Sequence, residues 1–361
     1  MIGTNLHLSI FGESHGEAIG CVLENFPAGV AVDMEAVSLQ MARRAPGRDP
    51  TATARKEADA PQIISGILNG VTTGAPLTAL IRNTNQRSGD YKNITEDFLP
   101  RPGHADYPAY LRYGGHADLR GGGHFSGRLT APLVFAGSLC RQLLKANGVT
   151  VGGHIASVGS VSDTPFDPVR VSSEQLDALS ASPLALLDPA AEAPIRAEIE
   201  AARLAADSVG GIVELAAVGL PGGIGSPLFE SAESRLSAIL FGIPAVKGIE
   251  FGDGFALAAM RGSKANDPYI LGNGQIRTSS NHNGGILGGI TTGMPLILRL
   301  AVKPTPSIGQ PQQTVNPVTG EPGTLTVKGR HDPCIVPRAL PAAEAALAFG
   351  LLDILLDHPA L

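Results

Sequence analysis

Gly66-Ile-Leu-Asn-Gly-Val-Thr-Thr-Gly-Ala-Pro-Leu77 recurs as Gly285-Ile-Leu-Gly-Gly-Ile-Thr-Thr-Gly-Met-Pro-Leu296, identical at nine of twelve positions and displaced by 219 residues. Each copy is a short β-prone run punctuated by glycines and closed by Thr-Thr-Gly, a turn signal between strands. A weaker echo lies upstream, where Ser14 to Gly29 resembles Ser208 to Gly223, Pro27 standing against Pro221, at an offset of 194. The offsets differ by 25, so the second copy carries a longer loop between Pro221 and Gly285. This pattern predicts one domain, 1–361, built of two halves of roughly 5–150 and 205–361 that pack about a pseudo-twofold axis.

Periodicity outside the repeat extends that reading. Strands are expected at Leu6–Phe11, Ala18–Asn25, Gln62–Leu68, Leu77–Arg82, Gly211–Val218, Gly285–Ile290 and Leu296–Val302. Helices are expected at Met34–Arg44, Leu129–Ala146, Leu228–Leu240 and Pro341–Leu356. Leu129–Ala146 is apolar around much of its circumference, which marks a helix buried on several sides. Hairpin-like strand pairs favour an α+β fold of antiparallel sheets against central helices over a Rossmann-type alternation. Ser160 to Asp207 reads as an exposed, variable segment, with a solvated helix at Pro189–Ala206.

Composition narrows the function. Charged residues are 17% of the chain against roughly 25% in typical domains, so much surface is expected to be hidden. A net charge of −6 speaks against a nucleic-acid partner. Met1 to His7 shows neither a basic nor an apolar export segment, and Glu344 and Asp353 interrupt the apolar run Ala339–Leu356, so neither export nor a membrane partner is expected. Cys21, Cys140 and Cys334 have no metal-ligand spacing and read as buried thiols of a reducing, cytoplasmic compartment. No metal site is expected.

Charge is concentrated in two loops. Arg43 to Lys56 holds Arg43, Arg44, Arg48, Arg55 and Lys56 against Asp49, and Arg101 to Arg128 interleaves four arginines with His104, His116 and His124. Two cationic loops in an acidic protein point to a focused anion site, arginine suiting phosphate and carboxylate through its forked N–H groups. His15, flanked by glycine after an apolar strand, and His104, in Arg101-Pro-Gly-His-Ala-Asp106, are candidate proton carriers. Each taken alone could equally be a structural histidine bonded to a backbone carbonyl. Gly12-Glu-Ser-His-Gly16 also fits the Gly-x-Ser-x-Gly elbow of serine hydrolases, but the elbow needs a helix next and Glu17 to Asn25 reads as a strand.

Phe11-Gly-Glu-Ser-His-Gly16, Arg101-Pro-Gly-His-Ala-Asp106, Gly284-Gly-Ile-Leu-Gly-Gly-Ile290, Lys303-Pro-Thr305 and Gly329-Arg-His-Asp-Pro-Cys334, in this order, resemble the chorismate synthase family, from about Phe11 to about Leu356. The resemblance implies a β-α-β sandwich and usually a homotetramer. It implies a phosphate-ester substrate, 5-enolpyruvylshikimate 3-phosphate, converted by anti-1,4-elimination to chorismate and phosphate. The implied cofactor is reduced flavin mononucleotide, FMN, with NADPH as candidate reductant. By the same resemblance His15 donates a proton to the departing phosphate, His104 protonates or stabilises the reduced flavin, and Asp332 assists uptake of the ring proton. Ser14, Arg44, Arg48, Arg101, Arg128 and Arg330 then hold the substrate's anionic groups. His124, Phe125, Ser126, Pro244, Ala245, Gly288, Lys303, Pro304, Thr305, Pro306, Ser307 and Arg330 line the flavin.

The chain departs from the family pattern twice. The family's Arg-Ser-Ser-Ala-Arg-Glu-Thr is His124-Phe-Ser-Gly-Arg-Leu-Thr130 here, so a titratable imidazole stands where an arginine is usual and flavin affinity is expected to fall as pH rises. In the Arg43–Arg55 loop a family arginine falls near Pro50, and Arg48 takes its place after a local shift. Three alternatives stand beside the lyase: an FMN-binding flavin reductase or carrier, a homologue lacking lyase activity, and a serine hydrolase at Ser14.

Overall fold

Leu77, Ala79 and Ile81 are buried while Thr78, Leu80 and Arg82 are not, the alternation of a strand with one face on a core. A computed structural model describes residues 1–47, 59–84, 98–272, 274–327 and 332–357. Four strands, β1 (His7–Gly12), β2 (Ala18–Glu24), β3 (Gln62–Ser65) and β4 (Leu77–Arg82), form an antiparallel sheet in the order β1-β2-β4-β3. Five more, β5 (Thr150–Val158), β6 (Val161–Ser162), β7 (Gly211–Val218), β8 (Val246–Phe251) and β9 (Leu296–Val302), form a second antiparallel sheet in the order β8-β9-β7-β5-β6.

Seven helices of eight or more residues accompany the sheets among the described residues. They are α1 (Met34–Arg44), α2 (Asp106–Tyr113), α3 (Thr130–Ala146), α4 (Ser173–Ala181), α5 (Glu192–Leu204), α6 (Ala232–Leu240) and α7 (Val336–Leu355). α3 packs on the first sheet, α7 on the second, and the two helices pack on each other. A Cβ on Gly137 would lie 2.4 Å from the Ala345 Cβ, so only glycine admits this approach of α3 to α7. The arrangement is the expected α+β sandwich of antiparallel sheets around central helices. No helix among the described residues is long and apolar enough to cross a membrane.

The two repeat copies carry the same hydrogen bonds. Thr72 Oγ1 donates to Pro27 O (2.6 Å) and accepts from Val30 N (3.0 Å), and Thr291 Oγ1 donates to Pro221 O (2.7 Å) and accepts from Ile224 N (3.0 Å). A Thr72 or Thr291 hydroxyl thus staples each hairpin to the turn after β2 or β7, which is why the sequence repeats at both places.

Several boundaries move. The expected strand Gln62–Leu68 divides at Gly66 into β3 and a two-residue hairpin arm, Ile67–Leu68 paired with Val71–Thr72, and Gly285–Ile290 shortens to Ile286–Leu287 paired with Ile290–Thr291. The Leu228 helix breaks at Ser231, whose hydroxyl caps α6 through Ser234 N, and α7 begins at Val336 with Pro341 inside it. Ser160 to Asp207 is not simply an exposed segment: Phe166, Leu176, Ile195 and Ile199 are buried in it, because α4 and α5 cover the second sheet. Strand β5 is not among the expected strands; its Gly152 and Gly153 let Leu176 of α4 and Leu215 of β7 pack against it.

Candidate active site

The Gly12–Glu17 turn joins β1 to β2 and buries Ser14 and His15. Its shape comes from three backbone-directed bonds. Ser14 N donates to Gly123 O (3.1 Å), and the Asn83 Nδ2 donates to Glu13 O (3.0 Å) and Gly16 O (2.9 Å). Ser14 Oγ lies 3.2 Å from the His15 Nδ1 and donates to Arg120 O. Ser14 therefore orients the imidazole, and a strand rather than a helix follows it, which removes the hydrolase elbow.

His15 and His104 flank one dipeptide. A Cβ on Gly121 would fall 2.1 Å from the His15 Cε1, and a Cβ on Gly122 would fall 3.1 Å from the His104 Nε2. The two glycines have φ of +61° and +103°, which most L-residues avoid. The run Arg120–Phe125 is thus a wall thin enough for an imidazole on either side.

His104 belongs to a buried charge cluster at the turn before α2. Its Nδ1 is 2.7 Å from Asp106 Oδ1 and 3.1 Å from Arg101 Nη2. Arginine only donates, so both contacts cannot be hydrogen bonds to one nitrogen, and the shorter, charge-assisted N–H to Asp106 prevails. Arg101 grips Asp106 at 2.7 and 2.8 Å and donates to Ser307 Oγ at 3.2 Å. Burial lowers the His104 pKa, Asp106 opposes, and Arg101 and Lys303 lower it further, with a net fall from the ordinary value. Despite burial, hydrogen bonds from Arg101 and His104 hold the Asp106 carboxyl far below the usual carboxylate range.

A second cluster lies behind His15. Arg44, at the end of α1, and Arg128 both pair with the buried Asp59. Arg44 Nε also donates to Thr130 Oγ1 (3.0 Å), and Arg128 Nε to Asn83 Oδ1 (3.0 Å). Burial, with Arg338 adding to it, brings the Arg44 pKa down to about 10. Burial alone raises the Asp59 pKa, but Arg44 and Arg128 outweigh it and the net shift is downward. Arg338 pairs with Asp332 and donates to Arg44 O at 3.0 Å. Asp332 is thereby linked through Arg338, Arg44, Asp59, Arg128 and Asn83 to the turn that bears His15.

The flavin residues expected from the sequence fall into two groups. Lys303 N donates to Ala245 O (3.0 Å), its Nζ donates to Gly103 O beside His104, and Ser307 holds Arg101, so Pro244 to Ala245 and Lys303 to Ser307 join the histidine cluster. Thr305 Oγ1 is buried there without a hydrogen-bond partner among the described residues, an unmet polar group suited to a cofactor oxygen or nitrogen. Ser126 accepts from Arg128 N, Phe125 packs on Tyr113, and the His124 Nδ1 donates to Gly12 O at 2.9 Å. Gly288 is not brought to the cleft by any contact among the described residues; its hairpin adjoins the start of α6, where Ala232 N donates to Gly289 O. Arg48 and Arg330 lie outside the described residues.

Asp59, Asn83, Gly121, Gly122 and Arg338 were not singled out from the sequence, and Asp106 figured only as a neighbour of His104. Asp59 meets arginines 15 and 69 positions away, a separation that leaves no local pattern. All three thiols are buried and unpaired, and burial pushes Cys21 and Cys334 up to about 12, which removes them as nucleophiles.

The family model described as chorismate synthase matches residues 6–356. A chorismate synthase of Thermococcus kodakarensis is 48% identical over 360 residues, covering 100% of this chain and 98% of that protein. One of Pyrococcus abyssi is 46% identical over 359 residues, covering 99% and 97%. A crystal structure of chorismate synthase shares 26% identity with a TM-score of 0.74, covering 98% of this chain and 93% of that one.

Proposed function

Since the chain belongs to the chorismate synthase family, we propose that the His15–His104 cleft eliminates phosphate from 5-enolpyruvylshikimate 3-phosphate to give chorismate, with reduced FMN as cofactor. Full-length similarity to named lyases favours this over a flavin reductase or an inactive homologue. The observation that carries the reading is the placing of two imidazoles against Gly121 and Gly122 beside two buried arginine–aspartate clusters.

Loss of phosphate develops negative charge on the leaving group, and preorganised cations stabilise it without reorganisation. Arg44 and Arg128, held by Asp59, set their positive charge beside the substrate's anionic groups, with Arg101, Arg48 and Arg330 in the same role. His15, oriented by Ser14, donates a proton to the departing phosphate. His104 keeps Nδ1–H on Asp106, presents Nε2 towards Gly122 and holds a proton there. Asp332, oriented by Arg338, assists uptake of the proton leaving the ring. Lys303 to Ser307, the Pro244–Ala245 turn and the His124–Ser126 segment hold the cofactor, and Thr305 Oγ1 is the buried group that fits it. Reduced flavin supplies the electron density that a non-acidic ring proton demands. NADPH is the proposed reductant for it.

The enzyme is further proposed to be a cytoplasmic homotetramer. Three unpaired buried thiols support a reducing compartment. Exposed apolar side chains on the Tyr269–Gly272 and Gln275–Thr278 hairpin, among them Tyr269, Leu271 and Ile276, support contacts between copies.

The test is an anaerobic assay with chemically reduced FMN and the phosphate ester, reading phosphate and chorismate together. Replacing His15 or His104 with Ala is expected to lower turnover by about 10²–10⁴-fold. Full activity in both variants, or flavin oxidation without phosphate release in the unmodified chain, removes the reading.

A further inference from the structure

Away from the cleft, a cavity of about 220 Å³ opens between α1, α3, α4 and the first residues of β5. Leu39 and Val151 give it an apolar wall, and Arg141, Lys145 and Thr150 line it as well. Arg141 is held by one nitrogen alone. Its Nη1 donates to Glu344 at 2.7 Å and to Gln40 at 3.1 Å, while Nε and Nη2 have no partner among the described residues. The Arg141 side chain keeps 15% of its surface exposed and lines the cavity.

The charges beneath the cavity do not cancel. Glu344, wholly buried, pairs with both Arg43 and Arg141, which leaves one positive charge in excess, whereas Lys145 at the rim is balanced by Asp177. Burial lowers the Arg141 pKa, Glu344 opposes, and Arg43 adds to the fall. An anion at the open edge of Arg141 relieves this excess. Arginine's free Nε–Nη2 edge is also the face that matches a carboxylate with two parallel bonds.

We infer that this cavity binds a small organic carboxylate with an apolar body. The carboxylate takes the Nε and Nη2 hydrogens of Arg141, the Thr150 hydroxyl donates to one oxygen, and the body lies on Leu39 and Val151. The volume is below the roughly 300–1,000 Å³ of drug-sized pockets, so the guest has about ten non-hydrogen atoms.

The probe is 3-phenylpropionate, titrated calorimetrically into the full chain, with neutral 3-phenylpropionamide as control. The carboxylate is expected to bind saturably, one per chain, and about tenfold or more tightly than the amide. Ala36→Phe, which fills the cavity from the surface of α1, is expected to weaken binding about tenfold or more while turnover stays unchanged. Thr150→Val, similar in shape, weakens it without filling the space and serves if Ala36→Phe folds poorly. Arg128→Lys, in the cleft, leaves binding unchanged. Absence of saturable binding, equal affinity for the amide, or weakening by Arg128→Lys but by neither cavity variant overturns the inference.

Discussion

Asp106 acts through His104. The Nδ1–H bond to that carboxylate sets the tautomer, and the carboxylate resists the fall in pKa that burial, Arg101 and Lys303 impose. Asp106→Asn keeps the shape and removes the charge, so the His104 pKa drops further. Protonated His104 is then lost at a lower pH. The alkaline limb of kcat is expected to move to lower pH in Asp106→Asn, with a loss at neutrality of about 10- to 150-fold from a charge-assisted bond of about 1.5–3 kcal/mol. A full pH–rate profile for both forms measures this, and an unmoved alkaline limb counts against Asp106 as a positioning residue. At this scale the sequence exposes His15, His104 and Arg101 because a histidine among glycines and arginines is locally unusual. It hides Asp59 and Arg338, which meet Arg128 and the Arg44 carbonyl 69 and 294 positions away.

Glu344 joins three helices, reaching from α7 to Arg43 of α1 and Arg141 of α3. In the sequence it is a charge that interrupts an apolar run; in the fold it is the counter-ion of two buried guanidiniums. Glu344→Gln leaves both without it and is expected to cost about 3–5 kcal/mol at pH 7, read from urea unfolding. Burial alone raises the Glu344 pKa, but Arg43 and Arg141 outweigh it and bring it below 4.5. Its contribution is therefore complete above the unfolded value and is lost as pH falls through the folded one. The unmodified chain should lose stability on acidification, and Glu344→Gln should lose less over the same interval. Equal acid sensitivity in the two forms rejects Glu344 as the titrating group. Elements with clean periodicity, α1, β4, β7 and β9, lie where the sequence places them. Strand β5 escapes because its glycines are chosen for tertiary contact, against local propensity.

Across the whole molecule, one order of elements occurs twice: β1, β2, α1, β3, hairpin, β4, α3, and then β5, β7, α6, β8, hairpin, β9, α7. We propose a single domain whose copies meet between α3 and β5, with the second copy starting near Thr150. The longer loop anticipated between Pro221 and Gly285 contains the exposed Tyr269–Thr278 hairpin. If that hairpin joins copies, size-exclusion chromatography with light scattering should find four chains, and Leu271→Lys with Ile276→Lys should give a smaller species with folded circular dichroism. An unchanged mass in the double variant places the interface elsewhere. The sequence by itself determined the antiparallel sandwich, because hydrophobic period and turn chemistry are local and recur in both copies. It also marked the loops rich in arginine and histidine. Only the tertiary structure decided which charges meet, since pairing of Arg44, Arg128 and Asp59 depends on how helices and turns distant in the chain pack, and no local spacing encodes that distance.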